Sequence, residues 1–297
     1  MVRNAILLLS IMALLAVAAP ASVPFGLGGT NTVQDITSFK DLKQILVSDN
    51  EVYLLLVGDS LDLNSVRLRL LADEVAAELH GFVTVAFLDV RVPDVDFILS
   101  SWNVQAIPSW KLIPAARTTR PNGLGGLKTP VDYKETSMTV ESLKRFALQG
   151  IPQHKGLVDR IDKDMDLATL HSAVAKAGVN VTLLITDKDK APSVLYRRLA
   201  HKFVQRMVFV DVVAPQCPKL ARALTGGTKS LPELPVIVVY NTATKAVTTY
   251  TGGAFNVNKL TEWLSGYAIT DVAYQQKRAQ EKEAAIHKLA TAKGKKE

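Results

Sequence analysis

The sequence predicts an α/β protein made of two copies of one unit, with a signal peptide before them and a polar helical tail after them. Short apolar runs of strand length alternate with stretches of helical periodicity, which indicates a mixed central sheet flanked by helices. The same order of elements occurs twice, offset by about 125 residues. A chain of 297 residues is long enough for two domains of ordinary size.

Residues 1–21 have the features of a cleaved secretory signal. They contain Arg3, an apolar core of about a dozen residues and the small-residue pattern Ala19-Pro20-Ala21. We therefore expect the mature chain to enter the secretory pathway, with the endoplasmic reticulum lumen as its location and secretion as the alternative. A signal anchor is the other interpretation, although the apolar run is short for a bilayer span. No later segment is apolar over enough residues, so we expect no stable membrane span after cleavage.

The first predicted domain covers residues 32–150. Its predicted elements are strand Thr32–Ile36, helix Phe39–Ser48, strand Val52–Val57, helix Leu63–Leu79, strand Phe82–Val90, helix Asp94–Trp102, strands Ser109–Ile113 and Val131–Tyr133, and helix Val140–Gln149. The second helix has apolar residues at helical spacing, so we expect that face to be buried. These residues are Val66, Leu70, Leu71, Val75 and Leu79. The segment Ala115–Pro130 is rich in Gly, Pro and Arg, which predicts a mobile surface loop.

The second predicted domain covers residues 157–268 and follows a polar linker, "GIPQHKGLVDRIDKD". Its predicted elements are helix Leu167–Lys176, strand Val181–Thr186, helix Ser193–Val204, strand Met207–Val212, helix Pro218–Leu224, strands Val236–Tyr240 and Ala246–Tyr250, and helix Val257–Tyr267. Asp89 and Asp211, each at the end of a strand, are interpreted as equivalent positions of the two copies. Residues 269–297 are predicted to be a charged tail, helical or disordered.

The charge distribution argues against a nucleic-acid partner. The formal net charge is +7, and the segment from Asp271 to Glu297 alone carries seven Lys or Arg residues and four acidic residues. The folded body is therefore only mildly basic, and a solvated helix end explains the tail best. Routing to the secretory pathway also argues against a nucleic-acid partner.

Cysteine and histidine content limits the chemistry further. Cys217 is the one cysteine, so the chain forms no internal disulfide. The five histidines have no ligand spacing to one another or to Cys217, so we expect no metal site and no cofactor. Cys217 stays open as a possible reactive thiol, with a buried, inert thiol as the alternative. Asn180-Val181-Thr182 is a possible N-glycosylation sequon.

Two segments carry a resemblance to the thioredoxin fold. The stretch "LADEVAAELHGFVTVAFLDV" resembles the second helix and third strand of a thioredoxin domain, and "WNVQAIPSW" resembles the segment that holds the family's cis-proline. The resemblance implies two tandem thioredoxin-like domains. It also implies that Pro108 is the cis-proline of the first domain and Pro235, in "ELPVIV", that of the second.

In that family a C-x-x-C motif begins the second helix, and its positions fall here on Asp62, Leu63, Asn64 and Ser65. The corresponding turn of the second domain, Thr186–Ser193, also lacks cysteine. Disulfide exchange needs a thiolate and a resolving sulfur, so the chain is not a dithiol oxidoreductase. We expect Asp62 to act as a helix N-cap; a catalytic carboxylate is the alternative, although no histidine is near it in sequence.

The resemblance extends to the non-catalytic domain pair of protein disulfide isomerases, which binds unfolded or partly folded polypeptides. It implies a redox-inactive, chaperone-like protein of the secretory pathway, with an apolar groove beside each cis-proline. The groove residues are Leu61, Leu63, Ile107 and Pro108 in the first domain, and Leu234 and Pro235 in the second. Two alternatives remain: a scaffold subunit of a lumenal complex, with a protein partner there, or a single-thiol redox protein acting through Cys217.

Overall fold

The structure is a computed structural model that describes residues 31–47, 51–115, 128–153, 156–175, 178–226, 233–270 and 273. The predicted signal peptide, most of the predicted mobile loop and nearly all of the predicted tail lie outside these residues. Within the described ranges, no helix is both long enough and apolar enough to cross a bilayer.

Domain 1 is built on a five-stranded sheet. Its elements are β1 (Gln34–Ile36), α1 (Phe39–Val47), β2 (Tyr53–Gly58), α2 (Leu63–Glu78), β3 (Thr84–Asp89), α3 (Asp96–Ser101), β4 (Ser109–Ile113), β5 (Val131–Asp132) and α4 (Val140–Leu148). The strand order is β1-β3-β2-β4-β5. The first three strands are parallel, and β4 and β5 are antiparallel to their neighbours.

Domain 2 repeats this topology. Its elements are β6 (Asp159–Ile161), α5 (Leu167–Val174), β7 (Val181–Thr186), α6 (Val194–Lys202), β8 (Val208–Val213), α7 (Pro218–Leu224), β9 (Val236–Tyr240), β10 (Val247–Thr249) and α8 (Val257–Ser265). The strand order is β6-β8-β7-β9-β10, with the same parallel and antiparallel pairs. Two mixed sheets flanked by helices confirm the predicted class, a tandem pair of thioredoxin-like domains.

Each sheet is buried on both faces, which explains its continuous apolar strands. Successive residues of a strand point to opposite faces. In β2, Leu54 and Leu56 therefore join the core under α2 and α4, while Leu55 and Val57 join the core under α1 and α3. All four side chains are fully buried. The mixed sheet thus has the run of aliphatic residues expected for a sheet covered on both sides.

Two sequence-based expectations about the repeat need correction. Strand β6 lies in the segment interpreted as linker; it was not predicted because three residues, two of them charged, give no apolar pattern. Asp89 and Asp211 are not equivalent. Asp89 pairs with Gly58 at the end of β2, whereas Asp211 pairs with Leu184, two residues before the end of β7.

The predicted buried face of the long helix is confirmed in part: three of its five residues lie in or against the core, and two do not. Val66 and Leu70 are exposed, with 45% and 66% of their surface accessible. The face of α2 that meets the sheet also includes small residues, Ala72 and Ala76, which allow close approach of the helix backbone. Apolar periodicity locates the helix, but residue size decides which side lies against the sheet.

The two domains are in contact. Phe82 packs against the core under α2 and α4 of domain 1 and also against the core under α6 and α8 of domain 2. Arg198 of α6 donates to Glu51 of domain 1, with 2.6 Å between Nη2 and Oε2. Asn258 of α8 lies 2.9 Å from the His80 ring nitrogen Nε2. Apolar and polar contacts therefore both join the domains.

Candidate functional site

The candidate site lies at the edge of the domain 1 sheet where β2 ends and β4 begins. Val57 pairs with Ser109, so Gly58 and Pro108 are the next residues of their strands at the same edge. The Ile107–Pro108 peptide bond is cis, and so is Leu234–Pro235 in domain 2, as the resemblance implied. The turn from Asp59 to Asp62, which leads into α2, leaves the sheet at this edge.

Hydrogen bonds close the turn that would hold the C-x-x-C motif. Asp62 is the N-cap of α2 and accepts from the Ser65 backbone N–H at 2.8 Å and from the Ser65 hydroxyl at 3.0 Å. The Ser65 Oγ in turn accepts from the Asp59 backbone N–H at 3.1 Å. Ser65 is fully buried. A Cβ at Gly58 would come within 2.8 Å of that Oγ, so glycine makes room for it. Asp62 and Ser65 are thus engaged in helix capping.

Large apolar side chains stand exposed around this closed turn. Leu61 is 72% exposed, Leu63 is 74% exposed and Ile107 is 43% exposed. Val66 and Leu70 continue the surface along the outer side of α2. We call these five residues, together with Pro108, the apolar edge of domain 1. Single exposed apolar residues are ordinary, but several in one place mark an interaction surface.

The backbone at Ile107 is open as well. Within the described ranges, neither its N–H nor its C=O makes a hydrogen bond. An extended segment could pair with these groups as an added strand, in the way that sheet edges bind peptides. Met138, which is also exposed, follows β5 on a connection that starts at the same edge, since the Tyr133 N–H donates to the Trp110 carbonyl at 3.1 Å. The sequence did not mark Val66 and Leu70 as surface residues, because their periodicity assigned them to the buried side of the helix.

The corresponding edge of domain 2 differs. Leu234 is half-buried and packs against the core under α5 and α7, and Pro235 is exposed. Among the described residues of domain 2, no large apolar side chain is exposed. Arg160 of β6 instead closes this edge by pairing with Asp189 at 2.6 Å and with buried Asp211 at 2.7 Å. The structure therefore gives the two sets of predicted groove residues different surroundings.

Cys217 is a buried thiol. It is the N-cap residue of α7, it is fully buried, and its Sγ lies 3.4 Å from the Ile161 carbonyl oxygen, to which the thiol can donate. Burial raises the pKa of the thiol, and the nearby carboxylates of Asp164 and Asp162 raise it further. A reactive cysteine needs exposure and a lowered pKa, so these surroundings favour the inert interpretation.

The amide of Asn180 is used in packing. Its Nδ2 donates to the Tyr267 carbonyl at 2.8 Å, and its Oδ1 accepts from the Thr242 N–H at 3.2 Å. Glycosylation would attach a sugar to the same nitrogen, and modification of this sequon stays a prediction. Within the described ranges, no group of three or more His, Cys, Asp or Glu side chains could hold a metal ion.

Several solved structures are similar to this chain. ERdj5 (form II) is 16% identical, and the match covers 79% of this chain and 30% of that one, with a TM-score of 0.44. Human ERp44 (form II) is 15% identical, covering 83% of this chain and 60% of that one, with a TM-score of 0.31. Chloroplastic thioredoxin z is 18% identical, covering 40% and 94%, with a TM-score of 0.30. The chain thus spans less than two thirds of ERdj5 and of ERp44. No protein-family model and no curated protein sequence matches it.

Proposed function

We propose that this protein is a redox-inactive, protein disulfide isomerase-like protein of the secretory pathway that binds unfolded or partly folded polypeptides, with the endoplasmic reticulum lumen as its location. The observation that carries the proposal is the apolar edge of domain 1: Leu61, Leu63 and Ile107 stand exposed where the sheet edge has no sulfur to react with.

The binding mode follows from the geometry of this edge. An extended client segment would pair with the open backbone of Ile107 and place aliphatic side chains against Leu61 and Leu63. Burying apolar area gives affinity for many sequences because the hydrophobic effect is not directional. In domain 2, Leu234 and Pro235 offer a similar backbone position with a half-buried side chain, so we assign them the weaker role.

The test measures binding of a permanently unfolded, carboxymethylated protein by fluorescence anisotropy. We expect Ile107→Asp to weaken binding about tenfold or more, because it places a charge in the apolar contact. The matched control is Val47→Asp, which changes a similarly exposed residue at the end of α1. Equal loss in both variants, or no loss in either, would contradict the proposal. Co-purification of one stoichiometric partner instead of many clients would favour the scaffold alternative.

A further inference from the structure

We propose that the apolar edge of domain 1 selects polypeptide segments in which an aliphatic stretch is flanked by lysine or arginine. The carboxylates of Asp94 and Asp96 would form ion pairs with those flanking cations. This rests on the proposed function and names the class of client that the edge takes.

Three of the connections at this edge carry an excess of acid. Between positions 59 and 108, the segments 59–62, 89–96 and 102–108 contain five aspartates and one arginine. The aspartates are Asp59, Asp62, Asp89, Asp94 and Asp96, and the arginine is Arg91. The chain as a whole has a net charge of +7, so the acidic edge stands out against a basic protein.

Strand register places the connection that carries Asp89, Asp94 and Asp96 at the same edge as the apolar residues. Gly58, at the end of β2, has Asp89 of β3 as its partner on one side, and on the other side β4 begins directly after Pro108. The Arg91 side chain donates to Asp59 at 2.7 Å, which holds the connection after β3 against the turn before α2. The acidic connection and Ile107 therefore flank the same turn from opposite sides.

Three of the five carboxylates already have partners in the fold. Asp59 pairs with Arg91, and that hydrogen bond lowers the pKa of the Asp59 carboxyl. Asp62 caps α2, and Asp89 accepts from the Arg91 backbone N–H at 3.0 Å. Asp94 and Asp96 are exposed, and neither makes a side-chain hydrogen bond or ion pair with any residue in the described ranges. These two carboxylates are therefore available to form ion pairs with lysine or arginine side chains of a client.

The equivalent connections of domain 2 lack this imbalance. The segment 186–193, between β7 and α6, contains Asp187, Lys188, Asp189 and Lys190, so its charges cancel, and the segment 214–217, between β8 and α7, has no charged residue. Asp189 is further tied to Arg160 at 2.6 Å. Charge selection is therefore expected at the edge that also exposes apolar side chains, and not at the other.

The test compares three fluorescent peptides with one aliphatic core, flanked on both sides by lysine, by serine or by glutamate. We expect the lysine-flanked peptide to bind tightest, and the Asp94→Asn/Asp96→Asn double variant to weaken it about three- to tenfold, which is the scale of two exposed ion pairs. Asn suits position 94, because the backbone there has φ of 65° and Asn tolerates that conformation. At ~1 M salt, where the screening length is about 3 Å, the preference should vanish.

The matched control is Asp187→Asn/Glu233→Gln, which removes the same charge from exposed positions near the domain 2 edge and should leave the peptide order unchanged. Equal binding of all three peptides would overturn this inference while leaving the proposed function intact. A lysine preference that survives in the Asp94→Asn/Asp96→Asn variant would overturn the assignment to these two residues. Failure of every peptide to bind would overturn both this inference and the proposed function.

Discussion

Helices α2 and α6 occupy the same place in the two domains and have opposite surroundings. Each begins after the second strand of its sheet and is capped by a side chain, Asp62 or Ser193, that accepts the backbone N–H three residues on. Counted from the cap, exposed Leu63 corresponds to Val194, which packs against the core of domain 1. Exposed Leu70 corresponds to His201, which is buried. The outer side of α2 is thus apolar and exposed, while that of α6 carries charged residues and is buried.

Contact between the domains explains why α6 is buried, but not why the outer side of α2 is apolar. Domain 1 lies against α6 through Glu51 and the core under α2 and α4, whereas nothing in the described ranges of the chain covers α2 in the same way. Burial of α6 follows from the tandem arrangement. The apolar residues on α2 have no such structural reason, which is why we assign them to client binding.

The variant with the largest expected effect tests whether the ion pair between Arg160 and Asp211 stabilises the edge of domain 2. Arg160→Met leaves the Asp211 carboxylate buried, with 2% of its side chain accessible, and without its closest cation. An unpaired buried charge costs roughly 3–5 kcal/mol of unfolding free energy. Urea unfolding should show this loss through Trp263, which lies in domain 2.

The control for this variant is Arg69→Met in domain 1. Arg69 pairs with exposed Asp35. Asp35 occupies the same position in β1 that Arg160 occupies in β6. An exposed pair contributes up to about 1 kcal/mol, so the loss should be small. Burial raises the pKa of Asp211, so the deficit of Arg160→Met should shrink as the pH falls and Asp211 becomes protonated. Equal losses in the two variants would show that the edges do not differ.

Most of the fold could be predicted from the sequence, because the patterns that mark its helices and strands are local. Apolar periodicity and the Asp62 cap predicted the helices and every strand except β6, and the resemblance implied both cis peptide bonds. The exposed side of α2 was not predicted, since both sides of this helix carry apolar residues. The burial of α6 and the use of Asn180 in packing depend on contacts far apart in sequence, such as Asn180 with Tyr267.

A second prediction concerns the buried charge of α6. Lys202 is 1% exposed, and its ammonium group has no hydrogen-bond partner among the residues that the structure describes. Burial lowers its pKa, and Arg198 and Arg206 lower it further, while Glu51 opposes the shift. We expect Lys202→Met to stabilise the protein by about 1–2 kcal/mol, since it replaces a buried charge with an apolar side chain of similar length.

The pH dependence gives this variant a second readout. Because the pKa of Lys202 is lower in the folded chain than its ordinary value of 10.5, the charged form costs stability at neutral pH. That cost disappears as the pH rises from the folded pKa to 10.5. The gain from Lys202→Met, measured by urea unfolding, should therefore be largest near neutral pH and shrink in alkaline buffer. A destabilised variant would mean that the charge holds the domains together.

The variants with the smallest expected effect change the first residue of α2 and the first residue of α6. Leu63→Gln changes an exposed side chain, so unfolding free energy should stay within about 0.5 kcal/mol of the original protein, while binding of the unfolded protein weakens several-fold. Val194→Gln removes packing against domain 1, so stability should fall by about 1 kcal/mol with binding unchanged. The pair separates the two roles, because each variant should move one measurement and not the other. If both variants lowered stability without affecting binding, the exposed leucines of α2 would belong to an interface that supports the fold, and client binding would have to be sought elsewhere on the chain.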